Sequence, residues 1–299
     1  MALGDIPVVA IGPGSQPEES DGMQLDYIAM PKGMSTFRAP DIPEPGDVEH
    51  LAGAQATMDW LQDALNDFEP GGGAHLADLS GLDDSSRALV NQILGEGEVS
   101  IRVYGASPAR IQESILAGVW RIFCFDAEDR LTTDLLEVAE LPRLITWSHP
   151  ESVRIRDLLP ETPPDGVMNA MSILTELDQR CEEYEHGDPT HAINLTLLPL
   201  SPEDIEFLDE TLGRGNVAVL SRGYGNCEVT STRIPGLWWV RYFNSMGTQI
   251  LNSLEVTEIP AVACAAPEDI ADSAERLASI MEPYWSKDDA STEQGPVDP

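Results

Sequence analysis

The sequence predicts an α+β fold of two tandem pseudo-equivalent modules, each an antiparallel sheet flanked by helices. Three observations predict it. Runs of β-formers recur between short glycine-bearing loops, and runs with helical spacing stop at glycine. The chain also matches itself at one fixed offset, 118 positions, the distance from Leu94 to Leu212.

The elements follow in order. Residues 1–47 are rich in Pro and Gly (GPGSQPEE, RAPDIPEPGD) and read as an extended arm with one short strand at Ile6 to Ile11. From Val48 to Phe68, apolar Leu51, Ala54, Met58, Leu61 and Leu65 recur on one helical face, and Glu69-Pro-Gly-Gly-Gly73 ends the run. The first module, residues 48–160 with this preceding helix, then takes a helix at Asp84 to Leu94, which Gly95 stops. Strands follow at Val99 to Val103, Ile111 to Leu116, Val119 to Phe125 and Leu131 to Val138, with a closing helix at Pro150 to Leu159. The second module, residues 161–286, opens on a linking helix, Val167 to Tyr184, and a helix at Pro202 to Leu212 stopped by Gly213. Its strands are Val217 to Leu220, Glu228 to Ile234, Leu237 to Phe243 and Gln249 to Val256, and its closing helix is Pro267 to Met281. Residues 287–299 hold too little apolar content to pack and read as a disordered tail.

The self-match explains why the two series agree. LGEGEVSIRVYG lies over LGRGNVAVLSRG, and GVWRIFCFDAEDRLTTDLLEVAELP over GLWWVRYFNSMGTQILNSLEVTEIP, with no gap. Gly95, Gly97, Gly118, Trp120, Leu136, Glu137 and Pro142 all meet identical residues. Shared positions are candidates for holding the fold; differing positions are candidates for function.

Composition narrows the function. A net charge of −35 argues against nucleic acid or an anionic lipid surface as partner and favours a basic one, or it serves solubility alone. The segment MALGDIPVVAIGPGS has neither the basic start of a secretory signal nor the length of a membrane span, so the expected compartment is the cytoplasm. Four cysteines in 299 residues make no disulfide framework, which fits a reducing compartment.

Those cysteines are where chemistry is sought. RGYGNC places Cys227 between glycines and a strand; its counterpart is Ala109, and that of Cys264 is Thr146. The second module thus holds thiols that the first lacks. No CxxC is present and no histidine follows Pro202, so a complete zinc or iron–sulfur site within the chain is not indicated. A packing role, a shared ligand role and a nucleophile beside Arg222 are the open readings. CEEYEHGDPTH, with Cys181, His186 and His191, matches no metal spacing and reads as an acidic helix end. GPGS and GRGN read as turns without the context of a phosphate loop. The residues indicate no enzyme. In a strand of period two, Trp238 takes the shared face, as core, and Trp239 the opposite one, as a contact surface.

The second module, SRGYGNCEVTSTRIPGLWWVRYFNSMGTQILNSLEVTEIPAVACAAPEDIADSAERL, resembles the C-terminal region of the HupH/HyaF (HoxQ-type) hydrogenase expression/formation proteins. The first module looks like a degenerate first copy, and GPGSQPEESDGMQLDYIAMPKGMSTF resembles the family's N-terminal segment. The resemblance implies an accessory protein, a chaperone for maturation of [NiFe] uptake hydrogenase. Its implied partners are the iron–sulfur small-subunit precursor with its twin-arginine signal peptide and a thioredoxin-like maturation protein. Matching positions are Arg222, Gly223, Tyr224, Gly225 and Cys227, then Trp238, Trp239, Tyr242 and Asn244, then Cys264, Glu268 and Asp269. Apart from Trp238, read as core, and the two cysteines, these are expected to bind the partner. Cys227 and Cys264 are packing residues or, alternatively, transient ligands that deliver or protect an iron–sulfur cluster. No resident cofactor is expected.

Overall fold

The computed structural model describes residues 48, 50–146, 153–222 and 225–285. The predicted arm with its strand, and the tail, lie outside them. The described chain runs α1 (Ala52–Asn66), β1 (His75–Asp78), α2 (Asp84–Leu94), β2 (Val99–Val103), β3 (Ala109–Glu113), β4 (Val119–Phe125), β5 (Leu131–Val138) and α3 (Arg143–Thr146). It continues with α4 (Ala170–Glu183), β6 (His191–Asn194), α5 (Pro202–Leu212), β7 (Val217–Ser221), β8 (Asn226–Ser231), β9 (Leu237–Phe243), β10 (Gln249–Val256) and α6 (Pro267–Trp285). Turns of 3-10 helix occur at Ile155–Asp157, Leu195–Leu197 and Ala261–Ala263.

The strands form one antiparallel sheet in the order β1-β5-β4-β3-β2-β7-β8-β9-β10-β6. The fold class is α+β, as expected, but the strands do not close into two sheets. β2 and β7 would each leave a row of backbone donors and acceptors unpaired; pairing with one another satisfies both. Their register is self-complementary: Ile101 faces Val219, Val99 faces Ser221 and Val103 faces Val217. Each residue therefore meets either its own counterpart in the offset or that of the symmetric neighbour, the pattern a two-fold axis produces.

Local chemistry sets the helix ends. Asp83 caps α2 by accepting from the backbone N–H of Ser86, and Ser201 with Asp204 forms a capping box on α5. Gly95 and Gly213 follow those helices at φ of 55° and 57°, where a side chain would be strained.

Three apolar clusters hold the layers. On one face of the sheet, α1, α2 and α6 pack on Val119, Leu136 and Val138, and α4 and α5 pack on Leu237, Trp239, Leu254 and Val256. The other face carries Val99, Ile101, Ile111, Trp120, Val219, Val229 and Trp238, against which Ile145 of α3 and Ala263 pack. Trp120 and Trp238 are wholly enclosed and donate Nε1–H to Ala139 and Thr257 carbonyls. Burial of side chains this large is worth roughly 1.5–3 kcal/mol each.

Four local expectations change. β3 and β8 begin two residues before the expected Ile111 and Glu228 and end at Glu113 and Ser231. Leu116 and Ile234, read as strand, sit buried in tight turns where Ser114 and Thr232 hydroxyls bond the backbone. The four-residue edge strands β1 and β6 were not foreseen. In place of a helix from Pro150 to Leu159, the described part has only the 3-10 turn Ile155–Asp157, with residues 147–152 outside the description. Finally, α6 does not pack on the strands it follows. Its Ile270 and Leu277 join the cluster of α1, and Gln62 Nε2 donates to the Ala274 carbonyl at 3.2 Å. Ile155 crosses the other way, into the cluster of α4 and α5.

Candidate functional site

The turn between β7 and β8 carries the sequence RGYGNC. Gly223 and Tyr224 lie outside the described residues. Arg222 is anchored: its backbone N–H donates to the Glu98 carbonyl at 3.1 Å and its Nη2 to Ser100 Oγ at 3.0 Å. Gly225 has φ of 122°, and a Cβ there would lie 3.0 Å from the Phe243 carbonyl. Glycine is therefore required by both conformation and space.

Cys227 stands in register between Ser221 and Tyr242 and is buried in the cluster of Val229 and Trp238. Burial pushes its thiol up to about 12; a hydrogen bond with Tyr242 opposes the shift, and Glu255 and Glu228 add to it. Burial likewise raises Tyr242, its partner, to about 12. Cys264 follows the turn Ala261–Ala263, with Sγ 4.0 Å from the Pro260 carbonyl, and burial raises it to about 11, helped by Glu140 and Glu258. Both are protonated at neutral pH, the state in which a thiol is a poor nucleophile and ligand. All four cysteines are free. Among the described residues, no group of three or more His, Cys, Asp or Glu is placed to hold a metal ion. The histidines beside Cys181 point elsewhere: His186 pairs with Glu258 at 2.6 Å and His191 with Glu176 at 2.9 Å.

The predicted contact residues separate. Trp239 does take the face opposite Trp238, but it is only 4% exposed, beneath α4 and α5, with Nε1 donating to Asn252 Oδ1. It is core, not an exposed anchor; period two gives the face but not what covers it. Tyr242 is half-buried beside Cys227. Asn244 closes the β9–β10 hairpin, its Oδ1 accepting from Met246 and Thr248 N–H at 2.9 Å. Glu268 and Asp269 are exposed in the first turn of α6, where carboxylates favour the helix dipole. The turn residues Arg222 and Gly225 thus lie apart in sequence and role from Glu268 and Asp269; of the two cysteines, Cys227 is in the core and Cys264 is half-buried.

Several apolar side chains are exposed. Met168, Leu197, Leu198, Met246 and Ile250 are so in the second half of the chain, Met246 at 88%, and Leu76 and Leu131 in the first. Hydrogen bonds tie the chain at Met168 to the start of α5 and to the segment after Leu198: Met168 and Asn169 N–H donate to Asp204 Oδ1 at 2.8 Å, and Asn169 Nδ2 to the Pro199 carbonyl at 2.8 Å. LTLLPL reads as a buried run, so no pattern in the sequence marks it as surface.

These features define an α+β sheet protein with protonated thiols inside and polar turns and apolar side chains outside. Among the described residues no helix is long and apolar enough to cross a membrane. A family model described as HupH hydrogenase expression protein, C-terminal conserved region, matches residues 51–155 and again residues 167–284. The chain belongs to this family. It is 48% identical over 278 residues to the hydrogenase expression/formation protein HoxQ of Cupriavidus necator, spanning 92% of this chain and 96% of that one. It is 39% identical over 277 residues to the hydrogenase expression/formation protein HupH of Rhodobacter capsulatus, spanning 93% and 97%. A solved structure, the hydrogenase expression protein HupH from Thiobacillus denitrificans, aligns with 38% of this chain and 94% of its own at 29% identity and a TM-score of 0.36.

Proposed function

We propose that this protein is an accessory factor in hydrogenase maturation, a cytoplasmic chaperone of two modules. It holds the iron–sulfur small-subunit precursor of a [NiFe] hydrogenase before assembly and export, beside a thioredoxin-like maturation protein. The observation that carries the reading beyond the relatives' names is the exposed apolar set of the second half, Met168, Leu197, Leu198, Met246 and Ile250. Single exposed apolar residues are ordinary. The bond from Asn169 to the Pro199 carbonyl links the chain beside Met168 to the chain beside Leu198; such side chains, on a chain of net charge −35, suit the docking of an unfinished subunit with a basic leader. Cys227, protonated and enclosed, and Cys264, protonated and half-buried, serve packing in this reading.

The test is capture of the precursor from its native cytoplasm by the wild-type chain, by Met168→Ser/Leu197→Ser/Leu198→Ser, and by Cys227→Ser and Cys264→Ser, with bound iron measured throughout. The expected result is capture by wild type and both cysteine variants, loss with the triple variant, and no iron in any sample. Iron held by wild type and lost with either cysteine would replace this reading with cluster delivery. Failure of wild type to hold the precursor would end both.

A further inference from the structure

The helix-bearing face has a partly open floor. The cores beneath α1, α2 and α6 and beneath α4 and α5 include no residue of β3, β2, β7 or β8, so the four central strands lie between two helical layers; Ala218, Leu220, Glu228 and Thr230 of β7 and β8 are buried on this face, and the floor is open at Arg102 of β2 and Arg110 of β3. Cross-strand register sets Arg102 directly beside Arg110, with Phe123 and Ala218 on either side. The next rung sets Arg121, Gln112 and Ser100 in line, and Arg222 reaches onto Ser100. Four of the chain's 17 cationic side chains, against 52 acidic ones, thus gather on one floor.

Their charge is incompletely answered. Arg102 is exposed and has no ion pair among the described residues. Arg110 pairs with exposed Asp129 at 2.9 Å and stacks its guanidinium 4.5 Å over the Phe125 ring. Arg121 is 4% exposed and shares Asp134 with Arg87, while its Nε and Nη1, and Nε of Arg222, are buried without a partner. On this face the central strands carry one carboxylate, Glu228, which stands opposite Arg241; Glu98 precedes β2 across from Arg222.

We propose that this floor is a docking groove for an acidic peptide segment of a partner protein, its carboxylates placed on Arg102 and Arg110. Charge complementarity selects the occupant. β2 and β3, about 4.8 Å apart, make an open strip along which a short extended segment can lie. The acidic remainder of the surface repels a long polyanion such as nucleic acid. A short acidic segment feels chiefly the local arginines, since screening acts within about 8 Å at physiological ionic strength.

Fluorescence anisotropy on the full chain tests it, with a labelled Glu-rich peptide, a matched Gln-rich peptide and a single-stranded oligonucleotide. The Glu-rich peptide is expected to bind in a salt-sensitive way and to lose at least about tenfold in affinity with Arg102→Glu/Arg110→Glu. Arg180→Glu/Arg276→Glu, at exposed positions on α4 and α6, is expected to change it less than about twofold. Arg102→Gln/Arg110→Gln, with circular dichroism on each variant, separates lost charge from lost fold and is expected to fall between. Equal binding of the Gln-rich peptide, equal loss in the control pair, or equally tight oligonucleotide binding overturns the proposal.

Discussion

In the first half of the sheet, buried Asp134 accepts from Nη2 of buried Arg121 and from Nη1 of half-buried Arg87, each at 2.5 Å. At the same offset in the second half stand Asn252, Trp239 and Ile205, where Trp239 Nε1 donates to Asn252 Oδ1 at 2.5 Å and Ile205 packs on the core. The diagonal donor-to-acceptor geometry between β4 and β5 recurs between β9 and β10, while its charge does not. One backbone ladder therefore accepts an ionic or an amphipathic filling. The difference teaches where each half is vulnerable: the first through unpaired charge, the second through lost packing.

The largest expected effect follows. Asp134→Ala leaves two guanidiniums without their carboxylate and is expected to cost about 3–5 kcal/mol, against about 1–3 kcal/mol for Asn252→Ala, which orphans one indole N–H. Urea unfolding checks this, and equal costs would break the comparison. Transplanting the second-half set, Arg87→Ile/Asp134→Asn/Arg121→Trp, is expected to be neutral or stabilising, because well-packed apolar groups often replace a buried ionic cluster without loss.

A smaller contrast lies at Glu113, whose counterpart Ser231 bonds the Val217 backbone at 2.9 Å and does not titrate near neutrality. Burial raises Glu113 from 4.5 to about 7, opposed by backbone hydrogen bonds from Gly118 and Val99 and reinforced by Glu98 and Asp269. Between those values the folded protein keeps a proton that the unfolded chain releases. Stability attributable to this group is thus full below 4.5 and is lost as pH rises to about 7. Glu113→Gln is expected to flatten that slope and to stabilise the protein above it by on the order of 2 kcal/mol, read from thermal unfolding across pH.

The smallest contrast is at the caps. Asp83→Ala and Ser201→Ala are each expected to cost about 1 kcal/mol, with Ser201 the greater since its hydroxyl both accepts from Asp204 N–H and donates to the Gly166 carbonyl. Reversal of that order in denaturant midpoints would show that Asp83 has further work in the folded chain.

How legible the molecule was depends on whether a signal is local. β2, β4, β5, β9, β10, α2 and α5 fall at the expected residues, because alternation, helical spacing and glycine stops are written in each segment. β1 and β6, with HLAD and HAIN, are too short for any pattern; they are strands because β5 and β10 offer them backbone partners. The site was less legible. Cys227 and Trp239 were located by sequence, but their enclosure comes from neighbours far along the chain.

By itself, then, the sequence determined the α+β class, the repeated order of elements and the family resemblance, since these rest on residues close together in the chain. Tertiary structure alone decided that the strands fuse at β2 and β7, that α6 crosses to α1, that Trp239 is roofed by α4 and α5, and that Arg102 and Arg110 share an open floor. Each is a matter of which surfaces meet. Satisfying edge backbone groups and burying apolar faces is a cooperative property of the folded chain, which no single segment encodes.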